Sequence, residues 1–338
     1  MLVAEWAPYA LDFLFLARTS RESMRRKPTY FVRLTDTATG RAGVGECALF
    51  RGLSADDTPD YEERLSRACA EPLAPVPESS IRFGMETAMI NAGLIPAPES
   101  AFTRGEAGIP INGLIWMGDK AEMRRRIDEK LAAGFRVLKL KIGGIDFESE
   151  VDLLRYIRSV YSPDALEIRL DANGSFSPTD AHGRLRRLSE FSIHSIEQPV
   201  RAGQRHLMAR LCRESPINIA LDEELIGADD RDALLDEINP QFVILKPALC
   251  GGLSGATAWA DAAEARGIRW WATSALESNI GLHAIARWAG ARGVTMPQGL
   301  GTGLLYSNNI PSPLHLRADR LWYDPAGSWT LPRLQWRR

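Results

Sequence analysis

The sequence predicts an α/β fold, a modified (β/α)8 barrel of (β/α)7β type with an N-terminal α+β capping domain, and three observations carry the prediction. Five charged residues each close a short apolar run: Lys141 ends 137–141, Asp171 ends 168–171, Glu197 ends 193–197, Asp222 ends 217–222 and Lys246 ends 242–246. The steps between them are 30, 26, 25 and 24 residues. Each step fits one strand, one helix and two loops, so the strands run parallel. The second observation is that this alternation starts only at Ile109, and what precedes it follows a different pattern. The third is length: 338 residues hold one barrel of about 250 residues and a smaller domain.

In chain order, residues 11–17, 29–35 and 42–48 read as strands, with 36–40 as a turn. Helices follow at 61–70 and 81–91, separated by a proline-rich stretch at 72–77. The expected capping domain is therefore 1–105. The basic segment 18–27, with Arg18, Arg21, Arg25, Arg26 and Lys27, joins the first two strands. It is either a solvated hairpin loop or a lid that closes the barrel mouth and excludes water. The barrel is expected over 106–303. Its first strand is 109–116, and its first helix, 120–133, stops at Gly134 as a C-cap requires. Later helices fall near 147–161, 178–190, 204–214, 229–238 and 253–266, and strands at 268–273 and 294–297 bring the count to eight. The segment 304–338 is expected to return to the capping domain.

Parallel barrel strands bring their C-terminal ends to one mouth, where active sites of such barrels form. Asp171, Glu197 and Asp222 then lie side by side, with Lys141 and Lys246 on the flanks. Three carboxylates aimed at one point repel each other unless a hard, oxygen-preferring divalent cation neutralises them. That implies Mg2+, with Mn2+ as an alternative. No cysteine or histidine joins the group, which argues against zinc. A lysine works as a base when burial or nearby cations make its proton easier to lose. Set over the α-carbon of a metal-held carboxylate, it suits formation of an enediolate, whose charge develops in the transition state.

Neighbouring residues admit two readings each. Lys139 is either a second cation beside Lys141 or a rim residue. Arg169 and Asn173 share the face of Asp171 by period-two alternation, as substrate contacts or as structural bonds. Glu223 either partners Lys246 or is exposed. Trp116, Trp270 and Trp271 read as packing, and the five histidines lack metal-like spacing.

A net charge of −2 gives no electrostatic case for nucleic acid or membrane binding. No apolar run reaches the roughly 18 residues that would span a bilayer, and the start lacks a basic signal-peptide region. Cys47, Cys69, Cys212 and Cys250 are scattered, as reduced structural cysteines are. A cytoplasmic enzyme acting on a small molecule is the expected class, with the oligomeric state open.

Lys139-Leu140-Lys141, Asp171-Ala172-Asn173, Ile196-Glu197-Gln198-Pro199, Leu221-Asp222-Glu223 and Lys246-Pro247 together resemble the enolase superfamily, in its muconate-lactonizing branch. Ser274-Ala275-Leu276-Glu277-Ser278, Gly299-Leu300-Gly301-Thr302-Gly303 and Asn308-Asn309-Ile310 resemble the o-succinylbenzoate synthase family within it. The resemblance covers nearly the whole chain. It implies that Asp171, Glu197 and Asp222 bind Mg2+, that Lys141 is base and then acid on one face, and that Lys246 stabilises the enediolate from the other. It places Ser274, Gly301 and Thr302, with Lys139, Arg169, Asn173 and Glu223, among substrate-binding or supporting residues. The implied reaction is syn-dehydration of the dianionic 2-succinyl-6-hydroxy-2,4-cyclohexadiene-1-carboxylate to 2-succinylbenzoate, in menaquinone synthesis. N-succinylamino acid racemase, dipeptide epimerase and muconate cycloisomerase are the alternatives from the same superfamily. The epimerases carry an acidic pair after the last strand, where this chain reads Gln298-Gly299-Leu300-Gly301-Thr302. From other classes, a Schiff-base aldolase would use Lys246 as a nucleophile, and a non-catalytic binding barrel would not need both lysines.

Overall fold

The computed structural model of the chain describes residues 1–18 and 23–338. Its N-terminal sheet is an antiparallel meander of β1 (Leu2–Arg18), β2 (Ser23–Asp36) and β3 (Ala42–Cys47). β1 begins nine residues before the expected Leu11 because the alternation extends that far. Ala4 and Trp6 turn into the cap core, while Glu5 meets Arg33 directly across the ladder at 2.6 Å. Residues 18–27 correct the loop expectation, since Arg18 and Ser23 to Lys27 are paired strand. Residues 19–22 lie outside the described residues, and with them the tip of the proposed lid. Helices α1 (Tyr61–Ala70) and α2 (Ser79–Asn91) back this sheet. A methyl group on Gly45 would come 1.9 Å from the Gly84 carbonyl oxygen, so the approach of α2 to β3 requires glycine there.

The expected first barrel strand, 109–116, is split. β4 (Ile109–Pro110) pairs with the C-terminal hairpin of β12 (Leu314–Arg317) and β13 (Arg320–Tyr323), and only β5 (Gly113–Ile115) joins the barrel. The helix α3 (Lys120–Ala132) leads to β6 (Val137–Lys141), and α4 (Phe147–Val160) to β7 (Glu167–Asp171). The series continues through α5 (Ala181–Ser189), β8 (Ser195–Glu197), α6 (Arg205–Glu214), β9 (Asn218–Leu221), α7 (Arg231–Ile238), β10 (Phe242–Leu245), α8 (Gly252–Glu264) and β11 (Arg269–Ala272). Neighbours in this parallel sheet run from β5 to β11 in sequence order.

Residues 294–297 are not a strand, which corrects the eighth assignment, and Pro297 could donate nothing to a ladder. Closure is made one step later: Gln298 bridges Ile111 and Gly299 bridges Thr273, both parallel. The Gln298 side chain extends the seam, accepting from Ala272 N at 2.7 Å and donating to Met296 O at 2.6 Å. The helix α9 (Asn279–Ala291) was not anticipated. Its signal was present: Ser278 caps it through Ile280 N, and Leu282, Ile285, Ala286 and Ala289 form one buried stripe.

One large apolar cluster fills the space between sheet and helices, and Ala220, Phe242, Ile244 and Trp271 plug the barrel interior. Trp271 stacks under Arg169 at 4.4 Å and Trp270 packs on Trp288, the packing roles expected of both. The tail makes contact with both units, through the β12–β13 hairpin on β4 and through Arg337 on Trp6 of β1. Among the described residues no helix is long and apolar enough to cross a membrane.

Candidate active site

Lys141, Asp171 and Glu197 are the last residues of β6, β7 and β8, and Asp222 and Lys246 follow β9 and β10 directly. In register, Lys141 faces Asp171 and Asp171 faces Glu197. β6 and β10 are four places apart in the ladder, so Lys141 and Lys246 confront each other across the mouth. The five residues of the sequence pattern are thus brought to one place.

Their contacts form a charge lattice. Lys141 Nζ donates to Asp171 Oδ2 at 2.9 Å and to Asn173 Oδ1 at 2.8 Å. Lys139, two residues back on the same face, is buried and bridges Glu197 Oε2 at 2.6 Å and Asp171 Oδ2 at 3.1 Å. It is not a rim residue. Lys246 pairs with Asp222 rather than with Glu223, and Glu223 accepts instead from Asn173 Nδ2 at 3.0 Å. Asn173 adopts φ 44° and Gln198 φ 39°, left-handed conformations that few side chains tolerate. Gln198 Oε1 accepts from Asp222 N at 3.1 Å while its Nε2 donates to Glu224 Oε2 at 3.1 Å, tying β8 to β9 below the carboxylates.

Burial works against the Asp171 charge, but the ammonium groups of Lys139, Lys141 and Lys246 outweigh it and hold the carboxyl well below the usual range. Glu197 goes the other way, raised by burial and by the neighbouring Asp171 charge. Burial and Asp222 push Glu223 up to about 7. Lys246 is desolvated, yet Asp222 and the other carboxylates hold its ammonium above the ordinary value.

Among the described residues no acidic, histidine or cysteine side chains are drawn together as a ready metal cage, since each carboxylate of the lattice is turned to an ammonium. The donor set nevertheless fits a hard divalent cation. It is all carboxylate oxygen, and Glu197 Oε1 is buried with no hydrogen-bond partner among the described residues.

Above the lattice lies a pocket lined by Lys139, Lys141, Asp171, Asn173, Glu223 and Lys246 on one side. Ser274, Gly301 and Thr302 line the other, with Asn112, Thr273, Ala275, Leu276 and Gly299 beside them. Asn112 Oδ1 and Thr302 Oγ1 are buried there without hydrogen-bond partners among the described residues. Trp116, expected as packing, is a pocket wall with its ring 5.8 Å from Lys141 Nζ. The capping domain supplies Phe50 and Leu53, which sequence reasoning missed because a loop after β3 carries no periodic signal. Phe13 and Phe15 of β1 pack on Trp116 from outside. Arg169 does not reach the pocket. It lies one layer below, donating to Pro297 O at 2.8 Å and to Glu167 Oε1 at 2.7 Å.

Comparison with known proteins agrees with this geometry. Residues 122–306 match the model of the family described as enolase C-terminal domain-like. An o-succinylbenzoate synthase of Desulfotalea psychrophila is 46% identical over 88% of this chain and 92% of its own length. The crystal structure of MenC from that organism superposes with a TM-score of 0.78 at 42% identity, covering 95% of this chain and 99% of that one. The L-Ala-D/L-Glu epimerase of Bacillus subtilis, at 21% identity and a TM-score of 0.82 over 95% of each chain, shares the fold. The chain therefore belongs to the enolase C-terminal domain-like family, in the muconate-lactonizing subgroup of the enolase superfamily.

Proposed function

We propose that this chain is an o-succinylbenzoate synthase, a carbon–oxygen lyase that dehydrates 2-succinyl-6-hydroxy-2,4-cyclohexadiene-1-carboxylate in menaquinone synthesis. The observation that carries the proposal is likeness along almost the whole length to a synthase of that name, with two lysines opposed across one pocket.

The residues divide the work. Lys141, oriented by Asp171 and Asn173, takes the proton beside the substrate carboxylate and then gives it to the departing hydroxyl on the same face. Lys246, held as an ammonium by Asp222, faces the developing negative charge from the other side. Loss of water makes the ring aromatic, so the first proton transfer is the step that needs most help. Asp171, Glu197 and Asp222 would hold a divalent cation, Mg2+ with Mn2+ as substitute. Bound there, it supplies fixed positive charge for the substrate carboxylate. Lys139 neutralises the inner oxygens of Asp171 and Glu197 and keeps them in register. Four buried free cysteines support the expected cytoplasmic setting.

The test is direct. Purified protein with Mg2+ should consume the cyclohexadiene, seen as loss of diene absorbance, and exhaustive chelation should stop it until Mg2+ is returned. No loss of absorbance would overturn the assignment, and unchanged turnover after chelation would overturn the metal.

A further inference from the structure

Lys27 is fully buried, 2% exposed, and its ammonium has no hydrogen-bond partner among the described residues. It lies on β2, at the junction of cap and barrel, where burial makes its ammonium easier to deprotonate and two carboxylates, Glu46 of β3 and Glu277 of the loop after β11, oppose that loss. Both are 0% exposed, and neither they nor Lys27 lines the pocket. A buried charge without partners is expensive to hold, so its place in the fold calls for a reason.

The contacts of the two carboxylates supply one. Glu46 gathers Thr29 Oγ at 2.8 Å from its own sheet, then Ser278 N at 3.0 Å, Ser278 Oγ at 2.6 Å and Gly281 N at 3.1 Å from the barrel. Glu277 Oε2 accepts the Ser274 hydroxyl at 2.5 Å, and Ser274 Oγ in turn accepts from Leu276 N at 2.8 Å and Glu277 N at 3.2 Å. These bonds hold Leu276 at φ 65°, an unusual backbone state for a branched side chain. Tyr306 adds a hydrogen bond to Leu276 O at 2.8 Å. Ser274 and Leu276 both face the substrate pocket.

We propose that Lys27 and Glu46, cap residues remote from substrate, set the pocket wall at 274–276 through Glu277, so that substrate affinity depends on a buried charge balance at the junction. Lys27 is the counter-charge that lets two carboxylates share this dry space, and all three are positioning residues. Burial pushes Glu277 up to about 7, and Glu46 adds to that rise, as expected where two acids are served by one ammonium.

The inference rests on the proposed reaction, and a double-mutant cycle that removes the charges singly and together tests it. KM and kcat for the cyclohexadiene, and the melting temperature, are measured for the parent, Lys27→Met, Glu277→Gln and the double variant. Lys27→Met is expected to raise KM at least tenfold with kcat within threefold, because Lys141 and Lys246 stand on other strands. Glu277→Gln keeps an acceptor for Ser274 and should stay within threefold of the parent. Added to Lys27→Met, it should return KM to within threefold of Glu277→Gln alone, an outcome that lost packing at Lys27 could not give. A Lys27→Met KM within twofold of the parent, or a double variant no better than Lys27→Met, overturns the proposal. Should Lys27→Met not fold, a double variant that folds and binds with near-parental KM supports it, and one that also fails to fold overturns it. A parent chain without turnover refutes the assigned reaction instead. The junction is then scored by melting temperature, where a double variant no more stable than Lys27→Met sinks it.

Discussion

Lys141 is held by two acceptors, Asp171 at 2.9 Å and Asn173 at 2.8 Å, so its ammonium is oriented by the protein alone. If it is the sole proton carrier, Lys141→Ala abolishes both dehydration and exchange of the substrate α-proton with solvent deuterium. Lys246→Arg keeps a cation that does not lose its proton, and it should retain more activity than Lys246→Ala. A Lys141→Ala chain running at half the parental rate would falsify this division of roles. Asn173 offers a finer test, because its side chain joins Lys141 to Glu223 at 3.0 Å while its backbone stands at φ 44°. Asn173→Gly removes the bonds and tolerates the backbone. A hydrogen bond to a charged group contributes about 1.5–3 kcal/mol, so kcat should fall by roughly tenfold to a hundredfold, with a smaller change in KM. Parental kcat in this variant would show that Lys141 needs no such support.

At the scale of elements, the loop from β6 to α4 follows Lys141 directly, and Glu150 of α4 fixes that loop from behind. Its Oε1 accepts from Gly143 N at 2.6 Å, where Gly143 has φ 85° and a methyl group would meet Ser175 Oγ at 2.0 Å. Burial pushes Glu150 from its ordinary 4.5 up to about 7. The folded chain then binds that proton more tightly than the unfolded one. This group's contribution to stability is therefore fully present below pH 4.5 and is lost as pH rises through about 7. The amount is at most a few kcal/mol. Glu150→Gln should flatten that part of the stability curve, and urea midpoints from pH 5 to 8 check it: an unchanged pH slope would count against the account. How far such elements were legible follows from the signals each one carries. Strands that end at Lys141, Asp171 and Glu197, or just before Asp222 and Lys246, were readable because a charge closing an apolar run recurs at a nearly fixed step. The closing strand was misplaced because Gln298 and Gly299 join the ladder through single bridges, too short for any alternation to show. Trp116 and Leu276 carry no mark in sequence that distinguishes a pocket wall from a core, and Lys27 read as one more charge in a basic loop. What makes each of them part of the site is the cap lying against the barrel.

Across the whole molecule, charge divides the pocket into two sides. Asp171, Glu223, Lys139, Lys141 and Lys246 stand on the β6–β10 arc, whereas the arc from β11 to the closing seam offers Thr273, Ser274, Gly299, Gly301 and Thr302. Among the described residues no carboxylate of that second arc faces the pocket: Glu277 points into the junction with the cap, and Gln298 is consumed by closure. A small-molecule substrate meets neutral groups there, with Asn112 Oδ1 and Thr302 Oγ1 among them. A dipeptide would bring an α-ammonium to the same place, where oxygens such as Asn112 Oδ1 can accept from it but no carboxylate balances its desolvated charge, at a cost of several kcal/mol. A site that leaves a buried polar group unpaired discriminates by large factors, so Ala-Glu should be epimerised at least a thousandfold less efficiently than the cyclohexadiene is dehydrated. The measurement is kcat/KM for both substrates on one preparation, with α-proton exchange in deuterium oxide as the sensitive readout for the dipeptide. Comparable values would mean that an anion from elsewhere in the chain reaches this arc, and the reading of the neutral side would be wrong.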